Sequence, residues 1–539
     1  MRRRRRYLLV LCAVGLALVG ALAYGLRRAA ADIKDYRSVT RRAGVTPDYA
    51  DAVIPPNIAP LNFVVEEPGT LYCVKFRSTN GEGIDVVARG PQIVIPPRPW
   101  RRLLDANRGE ELSIDVYVKA ADGRWDRFEP MTNAIAREEI DRYLVYRLIN
   151  AGFNMYVRMG IYERDLEDYD ESLILDNRSF DEGCMNCHTF LSKGTDGVVF
   201  QMRPGREDHG MGMVLIRDGH VTIVDTRTHL TLSSAVYSSW HPSGRALAFS
   251  MNKVRQFFHG SGSEVRDVLD LDSDLALYLL ESGALASTPA IREPDRLEIY
   301  PAWSPDGKYL YFCSAPILWS DRNEVPPAQY DQVRYELRRI GYEIETGAWG
   351  EVETVLSAER TGLSISLPKV SPDGRFLLFC MAEYGCFPIH LASSDLYMME
   401  LDSGRYERLD ISSDQSDSWH SWSSNGRWIV FSSRRRDGLL TRLYLSYVDE
   451  TGKAHRPFLL PQKDPAFYDS FLKTYNVPEL VREPVPVRGE QIARVMRSGQ
   501  WVKSDLAVTS ATPAAGRGPD VGPAGAREAA GPWSPRSAD

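Results

Sequence analysis

Cysteine is scarce in this chain, which contains seven in 539 residues. Four of the seven are scattered, which excludes a scaffold built on disulfides: Cys73, Cys313, Cys380 and Cys386. Cys313 in YLYFCSA and Cys380 in FLLFCMA stand at matching places in two similar segments, a pattern that favours small buried strand residues. Cys380 and Cys386 are close enough in sequence to bridge a turn in an oxidising compartment.

Short catalytic signatures and a basic surface are also lacking. The sequence has no G-x-S-x-G, no Walker phosphate loop and no H-E-x-x-H motif. Asp270, Asp272 and Asp274 have the carboxylate spacing of a calcium loop, but Leu275 stands where that loop needs glycine. The net charge of -7, without a basic patch in the body, argues against nucleic acid as the main partner. Whether the chain is an enzyme is left open, and these absences favour a non-catalytic electron-transfer or binding protein.

Long hydrophobic runs are lacking except at the N-terminus. Residues 7–26 are uncharged and follow five arginines, and twenty helical residues span roughly 30 Å, enough to cross a bilayer. We predict a cytoplasmic stub over 1–6 and a transmembrane signal-anchor over 7–26, since the arginines keep the N-terminus inside. The body then lies in the periplasm or outside the cell, anchored to the inner membrane. The alternative is a periplasmic protein released by cleavage near Ala31.

What the sequence does contain is an internal repeat. Each copy places a small turn residue and glycine before a short β-rich run, which is typical of a hairpin. The copies are YSSWHPSGRALAFSMN from Tyr237, YPAWSPDGKYLYFCSA from Tyr300, LPKVSPDGRFLLFCMA from Leu367 and WHSWSSNGRWIVFSSR from Trp419. Their turn glycines are spaced more widely than the ~40–45 residues of a WD40 blade. We predict a mostly β protein with a β-propeller of five or six blades over residues 195–465.

The repeat W-S-P-D-G-K-Y-L-Y-F resembles that of TolB-like propellers, also called PD40 or WD40-like. The whole pattern is also similar to exported TolB-like proteins that carry C-x-x-C-H just before the propeller. HSWSSNGRWIVFSSRRRDG and PFLLPQKDPAFYDSF belong to that similarity. The resemblance implies the architecture more strongly than it implies a function.

The regions around the propeller differ in character. Residues 48–135 contain strand-like segments separated by Pro and Gly. We expect a short helix at RRLLDAN and a hairpin at ELSIDVYVKAADGRWDRFEP, and we predict a small β-sandwich-like domain over this range. Residues 136–194 have helical spacing at AREEIDRYLVYRLINAG and predict a helical linker that ends in the C-x-x-C-H segment. Residues 466–502 are a C-terminal extension. Residues 503–539, rich in Ala, Gly and Pro, predict a disordered tail.

The segment FDEGCMNCHTFL contains Cys184, Cys187 and His188 in the order C-x-x-C-H. In a c-type cytochrome the two thiols bind the haem vinyl groups and the adjacent histidine is the proximal iron ligand. Attachment occurs outside the cytoplasm, which agrees with the export signal. We therefore expect one covalent haem c. A thioredoxin-like site lacks its βαβ setting, zinc lacks a fourth ligand, and a plain disulfide leaves His188 unexplained.

The second axial ligand is open. EDHGMGM offers His209, Met211 and Met213, and NKVRQFFHG places His259 beside two phenylalanines. We favour His259, with Met213 as the alternative. Because propeller strands follow Cys187 closely, we expect the haem in a pocket shared by the N-terminal region and the propeller.

Three functions follow. The first is a membrane-anchored, extracytoplasmic haem c protein that exchanges electrons with protein partners. The second is an interaction scaffold of the cell envelope in which the haem serves structure or sensing. The third is a haem-dependent oxidoreductase with an active site in the propeller, which resembles the cytochrome cd1 arrangement and rests on fold analogy.

Overall fold

The computed structural model describes residues 33–150, 158–180, 182–203, 212–228, 235–260, 266–321 and 326–506. The predicted stub and signal-anchor (1–6 and 7–26), Ala31, His209 and Met211 lie outside these residues. Within them, no helix is both long and apolar enough to cross a membrane.

The N-terminal part forms one sheet of seven strands and one of three, with a single α-helix packed against them. Helix α1 buries Trp100, Leu103 and Leu104, and the Trp100 indole donates to the Ile58 carbonyl. The predicted hairpin is present as β8 and β9. The elements are β1 (Tyr36–Arg42), β2 (Val45–Thr46), β3 (Val53–Ile54), β4 (Phe63–Val65), β5 (Leu71–Arg77), β6 (Ile84–Ala88), β7 (Gln92–Ile93), α1 (Pro97–Ala106), β8 (Glu111–Lys119), β9 (Trp125–Glu129) and β10 (Met131–Ile135).

The rest of the described chain is built mainly of six antiparallel sheets. Five of them contain four antiparallel strands that are consecutive in sequence, and two of these five gain one further strand, paired in parallel, from the C-terminal part. The strands up to the last of these sheets are β11 (Tyr143–Asn150), β12 (Gly160–Asp165), β13 (Glu171–Asp176), β14 (Cys184–Phe190), β15 (Gly197–Arg203), β16 (Gly212–Arg217), β17 (His220–Asp225), β18 (Val236–Trp240), β19 (Ala246–Phe258), β20 (Arg266–Leu279), β21 (Ala284–Ala286), β22 (Arg296–Trp303), β23 (Tyr309–Pro316), β24 (Glu336–Glu343), β25 (Ala348–Leu356), β26 (Ser364–Val370), β27 (Phe376–Ala382), β28 (Asp395–Glu400), β29 (Arg405–Arg408), β30 (Asp417–Trp422), β31 (Trp428–Ser433), β32 (Arg442–Tyr447) and β33 (Phe458–Leu459).

The C-terminal part completes these sheets. Its elements are α3 (Phe467–Ser470), β34 (Lys473–Val481), α4 (Gly489–Arg497), β35 (Trp501–Lys503) and β36 (Asp505–Leu506), and the short helix α2 (Ala358–Thr361) precedes β26. Strand β34 pairs with β11 and so joins the beginning and end of the ring in one sheet, β13-β12-β11-β34. Short 3-10 turns span Asn177–Phe180, Leu191–Lys193, Pro289–Ile291, Tyr330–Gln332 and Pro388–His390.

The sheets form a ring because their inner strands touch in a closed circle. Strand β14 contacts β18, and the contacts continue through β22, β26, β30 and β34 back to β14. A circle of antiparallel sheets around one axis is the arrangement of a β-propeller. The predicted mostly β, propeller-type fold is therefore confirmed.

The predicted helical linker over 136–194 is wrong. Residues 143–150 form strand β11, and the C-x-x-C-H segment begins strand β14, so both belong to the ring. The ring likewise includes β34, within the predicted extension 466–502, and therefore exceeds the predicted span 195–465. Leu144, Tyr146 and Leu148 pack in one apolar cluster and Val145 packs in another, as the two faces of a strand do. Pairing with β12 and β34 fixes this segment as a strand. The predicted tail 503–539 lies outside the described residues except for residues 503–506.

The N-terminal domain packs directly on the last sheet of the ring. Its apolar residues share one cluster with Trp428, Leu445 and Phe458. The Asp141 carboxylate accepts hydrogen bonds from the backbone N–H and the hydroxyl of Ser424 at 2.6 and 2.5 Å. The N-terminal domain and the propeller thus share a common core in the described structure.

Candidate functional site

A small cavity lies on the axis of the ring, where one short stretch of each inner strand meets the others. Its volume is about 40 Å³. One water molecule needs about 10–15 Å³ of such space, so the cavity has room for roughly three. It is lined by Cys187, His188, Tyr237, Ser238, Tyr300, Pro301, Leu367, Pro368, Lys369, Trp419, His420, Val477, Pro478 and Glu479.

A β-bulge at the same place in every inner strand shapes this cavity. The strand register shifts across residues 237–238, 300–301, 367–368, 419–420 and 477–478. The first residue of each pair is left-handed although none is glycine, with φ of 48°, 58°, 56°, 45° and 48°. A bulge redirects side chains and is commonly found beside functional sites. Here it turns aromatic and aliphatic side chains toward the axis.

The C-x-x-C-H motif contains the sixth copy of this bulge. Strand β14 pairs Met185 with Met202 and His188 with Phe200, so the register shifts across residues 186–187. Cys187 therefore corresponds to Ser238, Pro301, Pro368, His420 and Pro478 in the other inner strands. The motif is thus part of the repeated architecture, at the centre of the ring.

Cys187 and His188 are both buried, and they contact different neighbours. Cys187 belongs to the apolar cluster around the axis, with Tyr237 and Tyr300. The His188 ring packs against Phe190 and Phe200, and its Nε2 lies 3.3 Å from the Val145 carbonyl oxygen. Burial raises the pKa of the Cys187 thiol to about 12 and lowers the pKa of His188 to about 4. At neutral pH the pair is therefore a thiol and a neutral imidazole.

Cys184 stands at the start of β14 and is half-buried. Its partner in the strand register is Arg203, the last described residue before 204–211. Gly212, the first described residue after that interval, pairs with Met202. Cys184 and Cys187 are not joined in a disulfide. The same holds for Cys380 and Cys386, while Cys313 and Cys380 are fully buried strand residues, as predicted.

The donor atoms suit covalent haem. Two thiols and a neutral imidazole are the groups that haem c uses. His188 Nδ1 is buried and has no hydrogen-bond partner among the described residues, as expected where a ligand or donor is missing.

The axial cavity, however, is far too small for a tetrapyrrole. Cys187 packs in the apolar cluster around the axis, whereas the His188 ring packs against Phe190 and Phe200. Because one haem must engage both, attachment requires the segment 184–188 to depart from this strand conformation.

The candidate distal ligands lie apart from His188. Met213 is fully buried in a cluster with Val199 and Phe249. The His188 ring instead contacts Phe200, which follows Val199 in β15 and lies on the opposite face of that strand. His259 follows β19 and its Nε2 lies 2.7 Å from the Asp267 carboxylate. The described contacts bring neither side chain to His188. Among the described residues no group of three or more His, Cys, Asp or Glu side chains is arranged to hold a metal ion.

Charged residues missed in the sequence complete the wall of the axial cavity. Glu479 accepts hydrogen bonds from the Lys193 ammonium at 2.5 Å and the Ser421 hydroxyl at 2.8 Å, and the Lys369 ammonium lies 3.5 Å away. Burial alone would raise the pKa of Glu479, but the two lysines outweigh it and lower the pKa to about 2. A signal was present in the sequence, since NVPEL around Glu479 is similar to SLPKV around Lys369.

Comparison with known proteins adds little beyond the fold. No protein-family model and no curated protein matches the chain, so membership of the TolB-like family stays a prediction. Similar solved structures are β-propeller proteins. They include an oligogalacturonate lyase from Vibrio parahaemolyticus (12% identity, TM-score 0.31, covering 72% of this chain and 100% of that one). A second is the Dos1 propeller (13% identity, TM-score 0.31, covering 52% of this chain and 66% of that one). A third is prolyl oligopeptidase B from Galerina marginata (10% identity, TM-score 0.33, covering 75% of this chain and 52% of that one). Similarity this low carries no argument about activity.

Proposed function

We propose that this protein is an extracytoplasmic haem c protein that exchanges electrons with protein partners and is built on a six-bladed propeller. The observation that carries the proposal is the state of the C-x-x-C-H residues. Cys184 and Cys187 are not joined in a disulfide, and His188 is a neutral, buried imidazole whose Nδ1 has no hydrogen-bond partner among the described residues. These three residues begin one inner strand, so the propeller holds the motif in its centre.

In this proposal Cys184 and Cys187 would hold the haem through thioethers, and His188 would bind the iron. The bound haem would supply one-electron redox chemistry. In the strand conformation described, Phe190 and Phe200 contact the His188 ring and exclude water from it, and haem attachment would replace these contacts. His259 and Met213 remain the candidate distal ligands, and the membrane anchor over 7–26 remains the proposed means of attachment.

The test is expression of the full chain together with a cytochrome c maturation system, followed by denaturing electrophoresis with a haem stain. We expect a stained band for the wild type and none for the Cys184→Ser/Cys187→Ser double variant. Cys73→Ser, which removes a buried cysteine from the N-terminal domain, is the matched control and keeps the stain. An unstained wild type that is folded and exported would overturn the proposal.

The second candidate is an envelope scaffold in which haem is structural or sensory. It is favoured by the packing of the N-terminal domain on the propeller, which makes one extended surface from both parts. The electron-transfer protein and the scaffold differ in whether the haem exchanges electrons with a protein partner. Rapid oxidation of the reduced protein by a soluble cytochrome supports electron transfer, and a haem inert to every redox partner supports the scaffold. The third candidate, a propeller active site, is less favoured because the axial cavity has room for only a few water molecules.

A further inference from the structure

Positively charged side chains gather at the end of the ring where the inner strands begin. Arg434 follows β31, and its Nη2 lies 3.2 Å from Nδ1 of His390 in the Pro388–His390 turn. Strand β20, which begins at Arg266, contacts that same turn. Arg147 on β11 donates from Nη1 to the Met185 carbonyl at 3.0 Å, next to Cys184. Three different sheets and one loop thus contribute basic groups at this end of the ring, and Arg147 is the one that contacts the start of β14.

The charges of these basic groups shift one another's pKa values. The pKa of the His390 imidazole is lowered by burial and by the charges of Arg266, Arg434 and Arg147. The pKa of Arg266 is likewise lowered by burial and by Arg434 and Arg147. No described carboxylate counts among the causes of either shift. Asp267, next to Arg266 in sequence, accepts hydrogen bonds from Tyr384 and His259 instead.

Arg266 needs a partner that the described structure does not supply. Its guanidinium is half-buried and makes no hydrogen bond or ion pair with any residue described. Removing a charge from water without pairing it is costly, so such a group normally meets an anion. His390 offers a further donor, because its Nδ1 faces the Arg434 guanidinium and its Nε2 then carries the proton.

We propose that Arg147, Arg266, Arg434 and His390 form an oxyanion-binding site beside Cys184. Guanidinium groups pair in two-point contacts with carboxylates and phosphates, so the ligand is an anion of this class. Two sources share this chemistry: the propionate carboxylates of a haem attached at Cys184 and Cys187, and a free oxyanion. The first source rests on the proposed function, and the second does not.

The experiment uses calorimetric titration of the full chain with inorganic phosphate, in the haem-loaded protein and in the haem-free Cys184→Ser/Cys187→Ser variant. We expect phosphate to bind the haem-free protein and Arg266→Gln to weaken that binding about tenfold, as for a lost charge-assisted hydrogen bond. The matched control is Arg255→Gln on β19, an exposed arginine of the same hairpin, which keeps the wild-type affinity.

The haem-loaded protein separates the two sources. If the haem carboxylates occupy the site, phosphate does not bind there, and Arg266→Gln lowers the haem midpoint potential whereas Arg255→Gln does not. If the natural ligand is a free oxyanion, phosphate binds both forms with similar affinity. Because the haem-free arm needs no haem, failure of the proposed function leaves this test intact.

Two results overturn the proposal. One is a haem-free protein that binds no phosphate, or binds it equally well with Arg266→Gln. The other is phosphate binding gained only after Glu264→Gln, which would show that an acidic residue of this chain, two positions before Arg266 and outside the described residues, neutralises the cluster.

Discussion

At the scale of single residues, Glu479 shows how charge holds the inner strands together. Its carboxylate lies on β34 and meets Lys369 on β26, Ser421 on β30 and Lys193 just after β14. Four of the six sheets are thereby linked through one side chain. A buried carboxylate with two ammonium partners is far more sensitive to substitution than a surface ion pair, because its loss leaves buried charge uncompensated.

We predict that Glu479→Gln destabilises the protein by about 3 kcal/mol at pH 7, because Lys193 and Lys369 lose their common partner. The pKa of Glu479 is lowered from 4.5 to about 2, so its contribution is present in full above pH 4.5 and is lost as the pH falls toward 2. Urea unfolding of both proteins between pH 7 and pH 2.5 measures the difference.

Glu450→Gln is the control, since Glu450 is an exposed partner of Arg427, and we expect it to cost well under 1 kcal/mol. A Glu479→Gln penalty that stays constant from pH 7 to pH 2.5 would contradict this account of the pair.

At the scale of elements, the turn that follows an inner strand explains why the repeat contains serine. The hydroxyl of Ser304 donates to Asp306 at 2.6 Å and accepts from the Tyr309 N–H at 3.0 Å. Ser371 makes the same two contacts with Asp373 and Phe376. The glycine that ends each of these turns is left-handed, with φ of 73° at Gly307 and 75° at Gly374.

We predict that Gly374→Ala costs about 1–2 kcal/mol, the strain of a left-handed residue with a Cβ. Gly307→Ala costs more, about 3 kcal/mol, because its Cβ would also lie 2.5 Å from Nε2 of His241, which bonds the Gly307 carbonyl. Around Gly374 the Cβ meets no atom within 4 Å. Thermal unfolding of the two variants tests the ranking, and equal costs would refute the role of His241.

These turns were predictable from sequence, whereas the place of the C-x-x-C-H motif was not. The turns depend on local chemistry, since serine, aspartate and glycine act within five residues of one another. Strand β14 has no such turn: the Leu191–Lys193 3-10 turn leads on to β15, and Ser192 and Lys193 there are left-handed without being glycine. Only the register with β15 shows that residues 186–187 repeat the bulge of the other inner strands.

The prediction of a helix at residues 143–150, which form strand β11, is wrong for a related physical reason. Its partners are β12 and β34, and β34 lies more than 300 residues later in the chain. Local periodicity carries no information about a partner so distant. The sequence likewise gives no sign of the proposed oxyanion site, because Arg147, Arg266 and Arg434 come together only when the ring closes.

At the scale of the whole molecule, the ring is closed by its C-terminal part. Strand β34 is the inner strand of the sheet whose other strands are β11, β12 and β13. Helix α4 then packs against β13 and β17, and β35 pairs with β17. The beginning and end of the propeller therefore stabilise each other, and neither is complete alone.

We predict that a chain ending at residue 465 does not fold, because it lacks β34 and exposes the apolar edge of β11. A chain ending at residue 506 keeps every described strand and is the matched control, with the thermal stability of the full chain. Circular dichroism and limited proteolysis of the two truncations provide the measurement. A folded, protease-resistant protein ending at 465 would contradict closure by β34.

Covalent haem at the C-x-x-C-H segment, residues 184–188, is tested most directly by mass spectrometry of one peptide. Trypsin releases residues 179–193, SFDEGCMNCHTFLSK, with both cysteines and the histidine. From protein matured in an exporting host, the account predicts this peptide with the mass of one haem added and iron retained. The peptide with two free thiols, or with Cys184 and Cys187 joined in a disulfide, would contradict it.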